Sequence, residues 1–407
     1  MTATAAAPPQ LPFEGLVVLD LTQIYNGPYA TFLLAQAGAS VIKIEPPRGE
    51  HLRTRFRSPG VTEPFAVLNA NKRCVTLDLK NPAGIEVFLE LLAKADVVVE
   101  NFAPGVMDRL GLGDAVLRAR NPRLIIASGS GYGSHGPYRD YPAMDVTVQA
   151  MSGVLAVTGL PDGTPVKAGP AVSDFFGGVH LYGAIVTALY RRALTGRGSS
   201  VEVSMMSAVY PSLLSNLGLA REGVKPTPRA GNRHGGLLMA PYNVYPTADG
   251  AIAILSVTQA HWVAIAATLE HPEWCDDPRF ASHFARVKNM DELDGLIGEQ
   301  TSHLPKDELC TRLVRARVPC APVRELAEVI EDPHLHATGM LRWFEHPEHG
   351  RILVHGSPLV FKEEAPAAYA PSQRLGEDTH AVLEELCGLD PAQISALEQR
   401  GAFTAQK

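Results

Sequence analysis

The chain is poor in the features that would place it at a glance. Its 407 residues hold five cysteines, Cys74, Cys275, Cys310, Cys320 and Cys387. They are scattered, odd in number and never spaced Cys-x-x-Cys. That argues against a zinc or disulfide framework, so no metal is expected, and it fits reduced thiols in a cytoplasm. Charge is sparse at 19%, no Lys/Arg-rich run occurs, and a net charge of −7 disfavours a nucleic-acid partner. No apolar run reads as long enough to span a membrane. The Ala/Pro-rich start, Met1 to Pro12, lacks the basic and apolar parts of a signal peptide and reads as a disordered tail. No internal repeat is visible.

What is present describes a globular protein. Apolar residues make up 46% of the chain, enough for a sizeable core, and the length calls for two domains. Leu16 to Leu21 is a short apolar run that reads as a buried parallel strand. A turn at Gln23 to Gly27 leads to a helix from Tyr29 to Ala37, with Pro28 at its first position, and then to a strand from Ala39 to Glu45. This is the βαβ unit of a doubly wound α/β fold. The Gly-x-Gly-x-x-Gly fingerprint of dinucleotide binders is missing where it should fall. Pro46 to Phe65 reads as a long loop carrying Arg48, Arg53, Arg55 and Arg57. Strands follow at Cys74–Leu79, Asp96–Phe102 and Arg123–Ser128, the last running into the glycine-rich stretch Gly129 to Pro137. Ligands gather at the carboxyl ends of such strands, where Glu100 and Asn101 stand. Further on, Met205 to Leu219 reads as one helix, and Tyr242 to Ser256 as a hairpin turning at Asp249-Gly250.

The chain is organised around Ala168-Gly-Pro-Ala-Val-Ser-Asp-Phe-Phe-Gly-Gly178 and the helical run to Arg192. That run is apolar enough to be buried. Ser173 or Asp174 is the natural N-cap, and Gly196 lies just past the C-terminus. A carboxylate at this point sits in the positive end of the helix dipole, which favours its ionised form. Gly177 and Gly178 leave the first turns open to a close partner. Locally, an aspartate here is most simply a cap.

The rest of the chain changes that reading. Gly15-Leu-Val-Val-Leu-Asp-Leu-Thr22 with Gly27-Pro28, Asn71-Lys-Arg73, Asp96-Val-Val-Val-Glu-Asn-Phe102, Pro104-Gly105 with Arg109-Leu-Gly111, Ser173-Asp174, Thr195-Gly-Arg-Gly198 and Gly231-Asn-Arg-His234 occur in one order along nearly the whole chain. In these stretches the protein resembles the class III CoA transferases, the formyl-CoA transferase-like CaiB/BaiF group that also contains alpha-methylacyl-CoA racemase.

The resemblance implies that Asp174 is a covalent nucleophile. It implies transfer of CoA from an acyl-CoA to a free carboxylic acid through aspartyl-anhydride and aspartyl-CoA intermediates, with no permanently bound cofactor. Backbone N–H groups of the Asp174 turn or of Gly235-Gly236 are expected to serve the oxyanions. By match, CoA is contacted by Ile24, Tyr25, Asn26, Leu77, Lys80, Asn101 and Phe102. Arg109 matches the phosphate-binding arginine, and Met144-Asp145 the region near pantetheine. Pro46 stands where relatives often carry an arginine, and Arg48 or Arg53 is the expected substitute. Arg233, His234, Gly235 and Gly236 are assigned to the acid, a short one or a dicarboxylate.

The racemases are the alternative on this fold. They pair the aspartate with a histidine directly before an Asp, and this chain has Met144 at that place. Methionine carries no proton, so transfer is favoured. A non-catalytic CoA- or NAD-binding module is disfavoured by Asp174 and by the missing fingerprint. The resemblance also implies the architecture: a Rossmann-like doubly wound large domain plus a small α+β domain, in a homodimer of interlocked rings. The chain then divides into the tail at 1–12, a CoA-binding α/β domain at 13–220, a linker at 221–240, a small domain at 241–320, a return linker at 321–341 and a C-terminal part at 342–407.

Overall fold

The computed structural model describes residues 11–55, 63–224, 227–363 and 365–404. The first ten residues of the expected tail, Arg57 and the Arg55 side chain lie outside the described residues. Two compact units emerge. One comprises the chain up to Val148, Pro170–Val209 and everything from Asp332 on; the other comprises Gln149–Gly169 and Tyr210–Glu331.

The first unit is built on a six-stranded sheet. Its elements are β1 (Val17–Asp20), α1 (Asn26–Gln36), β2 (Ser40–Glu45), β3 (Lys72–Thr76), α2 (Pro82–Leu92), β4 (Val97–Glu100), β5 (Ile125–Ser130), α3 beginning at Asp145, α4 (Val172–Thr195) and β6 (Ser199–Ser204). The strand order is β3-β2-β1-β4-β5-β6 and every pairing is parallel. The order reverses between β1 and β4, and that is where a doubly wound sheet opens a crevice.

Strand alternation explains why the runs are apolar throughout. Val18, Val41, Val97, Val99, Ile125 and Ala127 face Ala30 and Leu34 of α1 and Leu181, Ile185 and Ala188 of α4. Leu19, Ile42, Val98 and Ile126 face the other way, against Val87, Phe88 and Leu91 of α2 and Leu383, Ile394 and Leu397 near the C-terminus. Each such Val, Leu, Ile or Phe side chain contributes about 1.5–3 kcal/mol when fully buried.

Charges are also buried, beneath the loop that follows β1. Asp20 accepts from Lys72 Nζ at 3.0 Å and Thr31 Oγ1 at 2.6 Å, and Lys43 Nζ donates to the Thr22 carbonyl at 2.5 Å. Burial opposes ionisation of Asp20, but Lys43 and Lys72 outweigh it and hold the carboxyl below its usual range. This network fixes where β1 ends and the site loop begins.

Several sequence expectations are corrected. The first helix starts at Asn26, so Pro28 is its third residue. The stretch from Pro46 to Phe65 contains a helix at His51–Arg55 and the start of another at Glu63–Leu68. A helix at Asp114–Arg120 was not anticipated. The single helix expected from Met205 breaks into Met205–Val209, a 3-10 turn at Tyr210–Leu213, and Leu214–Arg221. Pro211 lacks the N–H that would continue it.

The central helix α4 differs most. It starts at Val172 with Ala171 as N-cap, which has no side chain able to cap it, so Asp174 is its third residue; Gly196 ends it at φ +71°. It is not buried all round, since Phe176, Val179, Tyr190 and Leu194 are exposed. By length and composition alone, its 24 residues could cross a membrane, contrary to expectation. The structure packs it instead against α1, β5 and β6, with Asp174 on the buried side.

The second unit has an antiparallel sheet of β7 (Tyr242–Thr247), β8 (Gly250–Leu255) and β9 (Cys320–Pro322). Tyr245, Ile252, Ile254, Trp262, Leu293 and Leu309 form its core. The hairpin forms where the sequence indicates, but its two turn residues are Ala248 and Asp249; Thr247 pairs with Gly250, which is already the first residue of β8. In the first unit a separate hairpin pairs β10 (Leu341–His346) with β11 (Gly350–His355).

Candidate active site

The crevice between β1 and β4 is closed by one side chain. Asn101, just past β4, accepts from the Gln23 N–H at 2.8 Å and donates to the Gln23 carbonyl at 2.8 Å. The next residue, Ile24, has φ +67°. A β-branched residue in the left-handed region costs of order 1–3 kcal/mol, and such strain collects at functional sites. Here it turns the chain from β1 into the start of α1. A cavity of about 290 Å³ opens beside it, lined among others by Ile24, Asn26, Asn101, Phe102, Met144 and Asp174. Six of the residues singled out in the sequence thus meet at one cavity.

Asp174 is buried, with 8% of its surface exposed. The N–H groups at the start of its helix are already used. Asp145 Oδ1 accepts from the Ser173 N–H at 2.8 Å and the Asp174 N–H at 3.3 Å, and the Phe175 N–H bonds to the Ala171 carbonyl. Asp145 therefore caps α4 from another segment. This corrects two expectations. The cap is neither Ser173 nor Asp174, and the turn has no spare N–H groups at these positions for an oxyanion. It also reverses the expected electrostatics: burial, and then the Asp145 charge, push the Asp174 carboxyl up to about 7. Near neutral pH it is divided between acid and carboxylate.

The two glycines after Asp174 serve a neighbouring helix. A Cβ on Gly177 would stand 2.0 Å from Asn26 Nδ2, and one on Gly178 would stand 2.6 Å from the Asn26 carbonyl. Asn26 Nδ2 donates to the Asp174 carbonyl at 3.3 Å, while its buried Oδ1 has no partner among the described residues. The close approach anticipated from the glycines is thus made by α1.

The remaining expected residues lie elsewhere. Tyr25 stacks on Phe175 with ring centroids 6.0 Å apart. Leu77 is 1% exposed in the core, which leaves only its backbone for a ligand. Lys80 and Arg109 are exposed and do not line the cavity. Arg48 is exposed, whereas Arg53 is committed: it forks onto Glu45 at 2.8 and 3.1 Å and lies over the Phe65 ring. In the second unit Arg233 pairs with Asp291 at 2.6 Å and Asp294 at 2.7 Å. His234 Nδ1 accepts from the Gly236 N–H at 3.2 Å, and Asn216 packs against Gly235.

Sequence reasoning missed Gln23, Tyr132, Arg139, Tyr141 and Met205, which also line the cavity. A signal was there, since Tyr-Arg-Asp-Tyr141 directly follows the glycine-rich stretch after β5. Tyr132, Tyr138 and Tyr141 form a cluster of rings with centroids 5.2–6.2 Å apart.

A buried carboxylate beside an apolar cavity at a sheet's switch point can act as nucleophile or as base. Comparison with known proteins narrows the choice. The sequence profile of CoA-transferase family III matches residues 13–379. The chain belongs to this family. It is an enzyme of the transferase class. The family member is 39% identical over 363 residues to an acetyl-CoA:oxalate CoA-transferase of Acetobacter aceti, covering 88% of this chain and 91% of that one. It is 36% identical over 406 residues to a formyl-CoA:oxalate CoA-transferase of Streptomyces coelicolor, covering 96% and 98%. Among solved structures, a CaiB/BaiF family protein from Brucella suis superimposes with a TM-score of 0.81 at 32% identity, covering 93% of this chain and 100% of that one.

Proposed function

We propose that this transferase moves CoA from an acyl-CoA donor to a free acid, with the Asp174 carboxylate as nucleophile. The carboxylate attacks the thioester carbonyl, the C–S bond breaks, and an acyl-aspartyl anhydride and CoA thiolate result. The thiolate then attacks the aspartyl carbonyl. The donor acid leaves as a carboxylate and an aspartyl-CoA thioester remains. The acceptor carboxylate reverses both steps. No proton is gained or lost overall. Two steps of nearly equal energy replace one difficult exchange. The observation that carries this reading is the burial of Asp174 on the cavity at the switch point of the sheet.

In this reading Ile24, Asn26, Asn101, Phe102 and Met144 border the thioester, with Tyr25 behind them. Lys80 and Arg109 meet the phosphates, and Leu77 contributes backbone. Asp145 positions the nucleophile. His234, Gly235 and Gly236 are assigned to the acid, with Arg233, paired with Asp291 and Asp294, in the same segment. The relatives act on oxalate, which supports a dicarboxylic acceptor here. The domain scheme, the cytoplasmic setting and the interlocked homodimer belong to the same proposal. The exposed apolar side chains of α4 are a surface such a partner would cover.

Incubation with acetyl-CoA and then hydroxylamine is expected to leave a hydroxamate on residue 174. If thioester exchange proceeds and no label reaches that residue, the nucleophile is wrongly assigned.

A further inference from the structure

We propose that Arg139 is the anion-binding wall of this cavity and takes a second carboxylate on the acid that exchanges CoA. This rests on the reading of Asp174 as the group that is acylated.

The argument starts from charge. Among the described residues lining the cavity, Arg139 is the only Lys, Arg or His, and Asp174 is the only acid. The other arginines that invite such a role are committed or lie elsewhere. Arg53 is forked onto Glu45 and Arg233 onto Asp291 and Asp294. Arg109 and Lys80 do not reach this lining. Among the described residues Arg139 pairs only with its neighbour Asp140, at 3.3 Å, with the two side chains 51% and 78% exposed. A pair that exposed holds its arginine weakly. Most of the guanidinium fork is left for a ligand, and a fork suits a carboxylate.

Position supports the same conclusion. The wall between Arg139 and Met144 is formed by Tyr141, Pro142 and Ala143, with Tyr132 beside it. The tyrosines pack on one another and brace the segment. Arg139 and Asp174 line the same cavity from different segments of the chain. A monocarboxylic acid has one carboxylate, and it is consumed in the reaction at Asp174. An acid that also engages Arg139 needs a second. The phosphates of CoA are the other source of an anion. They lie a full pantetheine arm from the thioester carbonyl, and because Arg139 also lines an adjoining cavity of about 430 Å³, the test has to separate the two anions.

The test measures kcat/KM with acetyl-CoA as donor, comparing succinate with butyrate and glutarate with valerate. The native enzyme is expected to prefer the diacid. In Arg139→Gln that preference should fall about 10- to 100-fold, the worth of a hydrogen-bonded charge, and Arg139→Lys should restore part of it. An unchanged preference in Arg139→Gln overturns the inference. So does a native enzyme that favours the monoacids, or a variant whose only defect is a raised KM for acetyl-CoA, which would place Arg139 on a phosphate. Hydroxylamine capture at Asp174 keeps the two claims apart. Label in Arg139→Gln with an unchanged preference sinks this inference alone, and absence of label in the native enzyme sinks the reading beneath it.

Discussion

Asp145 Oδ1 lies 2.8 Å from the Ser173 N–H and 3.3 Å from the Asp174 N–H, so one carboxylate caps the helix that presents another. The arrangement has two consequences of opposite sign. The hydrogen bonds fix the first turn of α4 and with it the direction of Asp174. The charge on Asp145 adds to burial and keeps the Asp174 carboxyl from ionising until about pH 7. A carboxylate of raised basicity is a stronger nucleophile, and burial favours the neutral anhydride over the ionised carboxylate that forms it.

The two consequences separate in Asp145 variants. Asp145→Asn keeps an acceptor oxygen and removes the charge. The rise of kcat/KM with pH should then move to lower pH while stability changes little. Asp145→Ala removes the acceptor as well. It should cost about 1 kcal/mol of stability, as lost helix caps do, and lower kcat. Rate profiles between pH 5 and 9 and urea denaturation check both. A profile that does not move in Asp145→Asn would show that its charge is not felt at Asp174.

Asp174→Asn should abolish transfer and yet stabilise the fold at neutral pH. The folded-state value, about 7, lies above the ordinary 3.8. Between those values the folded chain binds more protons than the unfolded one, so this group makes stability fall as pH rises. Below about pH 4 the carboxyl is protonated in both states and contributes nothing. The variant's advantage should therefore be small at pH 4 and reach about 1–4 kcal/mol at pH 8. Thermal denaturation of both proteins at the two pH values measures it, and an advantage that shrinks toward pH 8 would contradict the sign.

Glycine substitutions on α4 should differ by position. A Cβ at Gly177 would meet Asn26 Nδ2 at 2.0 Å and Met205 Cγ at 3.0 Å, whereas one at Gly183 meets nothing within 4 Å. Gly177→Ala should cost about 1–3 kcal/mol and impair turnover, because Asn26 must leave the Asp174 carbonyl. Gly183→Ala should gain up to about 1 kcal/mol from helix propensity alone. Denaturation midpoints for the two variants make the comparison.

Much of this was legible from residue order. The apolar runs and the spacing between them indicated a parallel doubly wound sheet, and the alternation around Thr247 to Gly250 indicated the hairpin of the second unit. Asp174 stood out because Ser173-Asp174 keeps its place within a long ordered series of matched stretches. What escaped was set by contacts far apart in sequence. No local pattern tells that Asp145 will cap a helix starting 27 residues later, since Ser173 and Asp174 are equally good caps by residue type. For the same reason the helix dipole was expected to lower the Asp174 carboxyl, when burial and Asp145 raise it. Arg53 and Arg233 looked like ligand cations because their partners Glu45, Asp291 and Asp294 are brought to them only by the fold.

The remaining prediction separates the two chemistries that share this fold. Racemisation at the α-carbon of an acyl-CoA needs one group to remove a proton and a second, on the opposite face, to return one. Asp174 with a carboxyl near 7 is competent for the first task. The position expected to supply the second is Met144, which lines the same cavity and whose thioether cannot donate a proton. Among the described residues the cavity lining contains no histidine or lysine, and its one cation, Arg139, does not deprotonate in this range. In D2O, a 2-methylacyl-CoA incubated with the protein should keep its α-hydrogen and its configuration, while labelled CoA passes between acids in the same tube. Deuterium at the α-carbon without exchange of CoA would reverse the assignment and turn Asp174 from nucleophile into base.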